Sequence, residues 1–263
     1  MRRSITLWVL VGLGCCAQVQ AQTIWTQRSE RPGIRLEFLS PQFKDAFPGV
    51  SYTYNILTLS GRVPLGEIVA VLVEVPMAWE SYSSPFGSDS KNGVGNAFIG
   101  LEIGSRESAF FGEVGTRPFL RQDLGAMGFP GFYGDYERAE AYIKETQSFE
   151  FALNVVSTEQ QGFVYRIRVG ATNFVHESGD ATTFIDYGAK TGYDDGTISV
   201  YAGLTGRAST EKQPGKTAYH HVGFDVGYRF GALRPAIFFG LPLDEEISEF
   251  VPQTIGGSII IEL

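Results

Sequence analysis

The sequence predicts an all-β protein: a closed antiparallel transmembrane β-barrel of about twelve strands, in an up-and-down meander with short periplasmic turns and long outer loops. Three observations carry this. Apolar and polar residues alternate along segment after segment, short and long connections alternate between those segments, and an export signal precedes them. The clearest segment is His221–Phe230. Val222, Phe224, Val226, Tyr228 and Phe230 share one face, and His221, Gly223, Asp225, Gly227 and Arg229 share the other. Successive side chains of a strand point to opposite faces, so one face is apolar and the other carries charge.

Residues 1–21 read as a cleavable signal peptide. Arg2 and Arg3 form a basic start, Ile5–Ala17 is mostly apolar, and Val19-Gln20-Ala21 supplies small residues for cleavage. Residues 22–263 form one barrel domain without repeat or linker. Cys15 and Cys16 are the only cysteines and leave with the signal, so rigidity must come from the strand ladder rather than disulfides. The net charge of −8, which loses Arg2 and Arg3 on cleavage, argues against a nucleic-acid partner. The longest apolar run of the mature chain, Ile68–Val73, is far short of the roughly 20 residues of a membrane helix.

The strands follow in order. They are Gly33–Ser40, Ser51–Val63, Ile68–Glu80, Gly95–Gly104, Ser108–Phe119, Ser148–Ser157, Gly162–Phe174, Thr182–Thr191, Thr197–Ala208, Ala218–Phe230, Leu233–Leu241 and Gln253–Leu263. Tight links fall at 64–67, 105–107, 158–161, 193–196 and 231–232. Longer ones fall at 41–50, 81–94, 120–147, 175–181, 209–217 and 242–252. With both termini in the periplasm, the first and last connections are outer loops, and both are long. Within the longest loop, Asp135–Thr146 is rich in helix formers. It predicts a short helix with Asp135 as cap, expected to sit on the loop surface rather than constrict the mouth.

The charged face must be inward. An arginine or lysine facing lipid at mid-depth costs about 2–4 kcal/mol, and several would exceed the stability of a domain. Phe163, Tyr165, Ile167 and Val169 therefore face lipid while Arg166 and Arg168 face the lumen; the second strand is ambiguous, because Tyr52, Tyr54, Leu57 and Leu59 break phase near Ile56. Aromatic residues near strand ends (Tyr52, Trp79, Phe119, Tyr201, Phe230) suit interfacial girdles. The expected lumen-lining residues are Glu74, Glu80, Glu102 and Glu113 on one side and Arg166, Arg168, Lys190, Arg207 and Arg229 on the other, with Asp225 set among the basic strands. Either they set up a transverse field or, as the interspersed Glu150, Asp186 and Arg117 favour, they form local ion pairs. Lumen glycines such as Gly100, Gly115, Gly192 and Gly227 leave space for a narrow pore.

Other chemistry is sparse. His176, His220 and His221 have no metal spacing, so no metal or cofactor is expected and no catalytic residue is assigned. His176-Glu177-Ser178 reads as a solvated loop, and Gly93-Val94-Gly95-Asn96 lacks the Gly-Lys-Ser/Thr of a phosphate loop. The acidic stretch Asp244, Glu245, Glu246, Glu249 reads as a solvated charge run.

Two motif regions carry a resemblance. Glu74-Val75-Pro76 followed by Gly93–Glu102 (Gly-Val-Gly-Asn-Ala-Phe-Ile-Gly-Leu-Glu), together with Phe111–Pro118 (Phe-Gly-Glu-Val-Gly-Thr-Arg-Pro), resembles a diffuse family of outer-membrane barrel transporters. That family is linked to aromatic-compound (phenol meta-pathway) degradation and is similar to fatty-acid-type channels. The resemblance implies a bacterial outer-membrane channel for small, hydrophobic or aromatic solutes, and implies no particular binding residues. Many such barrels end in an aromatic residue, whereas this chain ends in Leu263. Expected partners are outer-membrane lipid and lipopolysaccharide, the barrel-assembly machinery and a small-molecule solute. The alternatives are a structural or surface-interaction barrel and a membrane-embedded hydrolase.

Overall fold

The computed structural model describes residues 32–44, 51–119, 131, 134–159, 161–211 and 218–263; residues 1–21, expected to be a signal peptide, lie outside them. The strands are β1 (Gly33–Gln42), β2 (Ser51–Pro64), β3 (Val69–Ser84), β4 (Gly87–Val94), β5 (Phe98–Ile103), β6 (Phe110–Arg117) and β7 (Thr146–Val156). They continue as β8 (Gly162–His176), β9 (Ala181–Asp194), β10 (Ile198–Ser209), β11 (Ala218–Tyr228), β12 (Leu233–Pro242) and β13 (Gln253–Glu262). A short 3-10 helix spans Tyr136–Ala141, and α1 spans Glu245–Phe250.

Neighbours in sequence pair antiparallel around the sheet, and β1 pairs with β13 from Gly33↔Glu262 to Gln42↔Gln253, which closes it. Closure leaves the ring itself without an edge, the condition for strands in hydrocarbon, and β4, which pairs only with β3, is the one edge strand among the described residues. The thirteen strands occupy twelve places in the ring. β4 and β5 share one edge of β3: β4 pairs along Met77–Ser84 and β5 along Val69–Glu74, with Gly95–Ala97 between them. The expected loop 81–94 is thus largely an extended hairpin, formed by β3 running on to Ser84 and β4 folding back along it.

The outer surface is apolar. Leu36, Leu59, Val73, Ile99, Val114, Phe151, Val169, Leu204, Ile237 and Ile259 are all exposed. Intervening residues such as Glu37, Arg62, Glu74, Glu102, Arg166 and Arg207 are buried. An apolar exterior around a charged interior is stable only in a bilayer. Phe110, Phe163, Tyr193, Tyr228 and Phe230 are exposed beside the tight turns and form an aromatic rim there. Of the expected girdle residues, Trp79 and Phe230 are exposed, but Tyr52 and Tyr201 turn inward, where their hydroxyls donate to Glu80 (2.6 Å) and Asp194 (2.8 Å).

Two further expectations are corrected. The second strand keeps one phase throughout: Tyr54, Ile56, Thr58, Ser60 and Arg62 are all buried, and Leu59 and Val63 are exposed. The apparent break arose because Tyr54 and Ile56 are apolar residues on the lumen side. Nor do the lumen glycines hold open space. Gly100 and Gly115 pair across β5 and β6, and the Phe98 ring lies over both; a Cβ on Gly115 would meet that ring at 2.2 Å. Tyr201 covers Gly192 in the same way. Small residues here accept neighbouring rings, a packing device of tightly curved sheets.

Candidate functional site: a charged chamber beneath an inward-folded loop

Residues 134–142 of the connection between β6 and β7 fold into the barrel. Tyr136, Arg138, Ala139, Glu140, Ala141 and Tyr142 are all buried, against the expected surface cap. Two forces draw the segment in. Ala141 and Tyr142 pack with Leu39, Tyr54, Ile56, Ala78 and Phe238, an apolar patch on the inner wall of β1, β2, β3 and β12. Alongside that patch the segment delivers buried charges to charged wall residues, which satisfies both partners. Asp135 precedes the helix but makes no side-chain cap bond; its carboxylate instead accepts from Arg138 Nε at 2.6 Å.

Arginines knit this plug to the barrel from both directions. Arg138 of the plug donates to Glu37 of β1 and lies 3.6 Å from Glu74 of β3. Glu140 of the plug lies 3.4 Å from Arg117 of β6 and 2.9 Å from Arg207 of β10. Arg117 also binds Glu74 at 2.5 Å, and Arg207 binds Asp186 of β9 at 2.5 Å. Tyr136 lies beneath the Arg207 guanidinium (5.8 Å to the ring centroid) and stacks on His221 (5.8 Å). Arg138 illustrates the balance: burial opposes its charge, but Asp135, Glu37 and Glu74 together raise its pKa well above the ordinary value. Burial dominates at Asp135, whose pKa is pushed up to about 6 despite Arg138.

The Gly95-Asn96 step is the latch. Asn96 Nδ2 donates to the Glu140, Ile143 and Thr146 carbonyls at 3.1, 3.2 and 3.2 Å, and its backbone N–H donates to Ala141 at 2.7 Å. Gly95 permits that approach, since a Cβ there would sit 2.5 Å from the Ala141 carbonyl oxygen. The break between β4 and β5 thus serves the plug. Asn96→Ala removes three side-chain donations at a buried site and is expected to weaken plug docking by about 1–3 kcal/mol. Hydrogen exchange of the 136–142 amides should accelerate while the strand amides stay protected.

The expected lumen residues are joined in local pairs rather than arrayed as two opposed sides. Glu74 meets Arg117, and Glu102 meets Arg62 of the neighbouring wall at 3.0 Å. Glu113 takes both Arg166 (2.6 Å) and Arg168 (3.3 Å). Lys190 meets Asp225 at 2.6 Å, Arg207 meets Asp186, and Glu80 accepts from Tyr52. Arg229 meets Glu262 at 2.7 Å and is partly exposed. Sequence reasoning missed Glu37, Tyr136, Glu137, Arg138 and Glu140. The missed signal was paired: apolar residues out of phase in β2, and a loop segment carrying both charge and aromatics.

Of the histidine sites, His176 bonds Thr146 (2.9 Å) while Ser178 donates to Asp180 (3.0 Å), so the two do not meet. Below the plug a cavity of about 80 Å³ remains, lined by Glu74, Glu113, Glu137, Glu150, Arg168 and Asp186 among others. It holds about six waters at roughly 10–15 Å³ each.

No family model and no curated protein matches this sequence. Solved structures do. The COG4313 outer membrane channel from Pseudomonas putida F1 is 13% identical with TM-score 0.60, covering 93% of this chain and 100% of that one. The translocator domain of the autotransporter NalP from Neisseria meningitidis is 8% identical with TM-score 0.52, over 90% of each chain. The NanC porin is 10% identical with TM-score 0.50, covering 88% of this chain and 100% of that one. At such identities the likeness is one of fold. The closed ring, the lipid-facing exterior and these likenesses together make the chain an outer-membrane β-barrel.

Proposed function

We propose that this barrel is a narrow outer-membrane channel for small solutes, with the segment 135–142 as its plug. The observation that carries the reading is the segment 135–142 folded inside a complete ring. Arg138 and Glu140 tie that segment to β1, β3, β6 and β10 by ion pairs, and the cavity left beneath it gives a small solute a place inside the ring. The remaining cavity is small and mostly charged, with Leu72 and Phe98 as an apolar patch. It therefore suits small polar solutes and has limited room for the aromatic ones that the motif resemblance implies. The similarity to a channel and a porin supports the reading at the level of fold.

Planar-bilayer recordings test it. Purified protein should give discrete small unitary currents, and deleting residues 135–142 should raise their amplitude several-fold. A barrel that stays folded and passes no current even without the plug would sink the channel reading in favour of a structural one.

A further inference from the structure

The cavity beneath the plug is not electrically balanced. Six carboxylates line it (Glu74, Glu113, Glu137, Glu140, Glu150, Asp186) against four guanidinium groups, those of Arg117, Arg138, Arg168 and Arg207. Arg166, just outside the lining and 2.6 Å from Glu113, supplies a fifth counter-charge, which leaves an excess of one acid. Glu137 is the least compensated of them. It forms no ion pair among the described residues; its carboxylate accepts only from the Thr205 hydroxyl, and its side chain lines the cavity. A second, independent feature is on the opposite wall. Ser60 is only 2% exposed, lines the same cavity, and its hydroxyl has no partner among the described residues. A buried hydroxyl left unpaired is destabilising unless something in the cavity engages it.

We propose that this chamber is a binding site for a small monovalent cation of the ammonium class, with the Glu137 carboxylate as its counter-charge and the Ser60 hydroxyl engaging it directly or through water. The four arginines are paired with Glu74, Glu113, Glu140, Glu150 and Asp186 and with plug carboxylates; none forms an ion pair with Glu137, and Arg138 offsets its charge only in part. An uncompensated carboxylate in a confined cavity has two remedies: it binds a proton or it binds a cation. The inference deepens the channel reading by naming the solute class, and it rests on that reading for the solute's route.

Proton and cation compete for the same oxygens. Burial pushes the Glu137 pKa up to about 8, and Asp135 and Glu37 add to the rise against Thr205 and Arg138. Asp186 of β9, Arg207 of β10 and His221 of β11 complete its charged and titratable surroundings. Burial thus favours the protonated form of Glu137 when the chamber is empty, and a cation must displace that proton. Apparent affinity should rise about tenfold per pH unit up to about pH 8 and level off above it.

The test uses methylammonium as the probe and thermal unfolding of the full barrel in detergent as the readout. Tetraethylammonium, too large for the cavity, serves at equal ionic strength as the control. At pH 8.5, saturating methylammonium should raise the wild-type midpoint by about 2–4 °C over the control. The excess should vanish in Glu137→Gln, shrink in Ser60→Ala and persist in Glu107→Gln, which changes an exposed turn acid. Equal midpoints in methylammonium and tetraethylammonium, or an equal excess in wild type and Glu137→Gln, would overturn the site. Should Glu137→Gln not fold, the wild-type pH profile decides, and a flat one overturns the proposal. Binding without current would reject the channel and keep the site; current without a methylammonium effect would do the reverse.

Discussion

Arg138→Ala is expected to release the plug while leaving the barrel closed. Arg138 is 4% exposed and serves three carboxylates, Glu37, Glu74 and Asp135. Removing one member of a buried ionic cluster costs about 3–5 kcal/mol, because the partners lose their counter-charge without regaining water. Glu37 keeps Arg35 at 2.5 Å and Glu74 keeps Arg117, so Asp135 is left worst placed. The loss falls on the plug rather than the wall, since the ladder that closes the ring passes through none of these side chains. Single-channel amplitude should rise several-fold, approaching that of the 135–142 deletion. Migration of the folded barrel on unheated gels should be unchanged. Arg138→Lys keeps the charge but loses the planar fork that spans several acceptors, so an intermediate amplitude is expected. An unchanged amplitude in Arg138→Ala would mean that Asn96 and Glu140 alone hold the plug.

Strand positions and the inside-outside assignment were legible because both rest on a period of two, and only a bilayer rewards apolar residues pointing outward. The seventh expected strand shows it: Phe163, Ile167 and Val169 are exposed, and Arg166 is buried. The plug was not legible, because nothing in a loop's own composition says which surface it will meet. Asp135–Thr146 looks like a solvated helix when read alone. Its inward course depends on Leu39, Tyr54 and Ile56, distant in sequence, offering an apolar patch where the strand pattern calls for polar lumen residues. Tyr54 and Ile56 registered only as a lapse of phase in β2. The pairing of charges was half legible. Glu150 and Asp186 among the basic strands signalled local neutralisation, but which acid meets which arginine depends on register. Arg166 and Arg168 reach past β7 to a shared Glu113 because register sets all three on one inner patch.

Phe151→Arg is expected to destabilise the barrel by about 2–4 kcal/mol, the cost of a guanidinium held in hydrocarbon near mid-depth. Phe151 lies at the middle of β7, pairs with Val114 of β6 and Ala171 of β8, and is 53% exposed. In a soluble sandwich that half-exposed ring would sit at a water boundary, and arginine there would cost little or improve solubility. The sign of the effect therefore separates the two environments. Urea unfolding in phospholipid vesicles should show the loss, and Glu107→Arg, on an exposed turn, should shift the midpoint little. The neighbouring position provides an internal contrast. Ala152 is fully buried and faces the interior, so a charge there meets paired ions and packing rather than lipid. Its cost would come from overfilling and would not depend on the bilayer's thickness. That at Phe151 should fall as the hydrocarbon is thinned by shorter-chain lipids and the arginine reaches the interface.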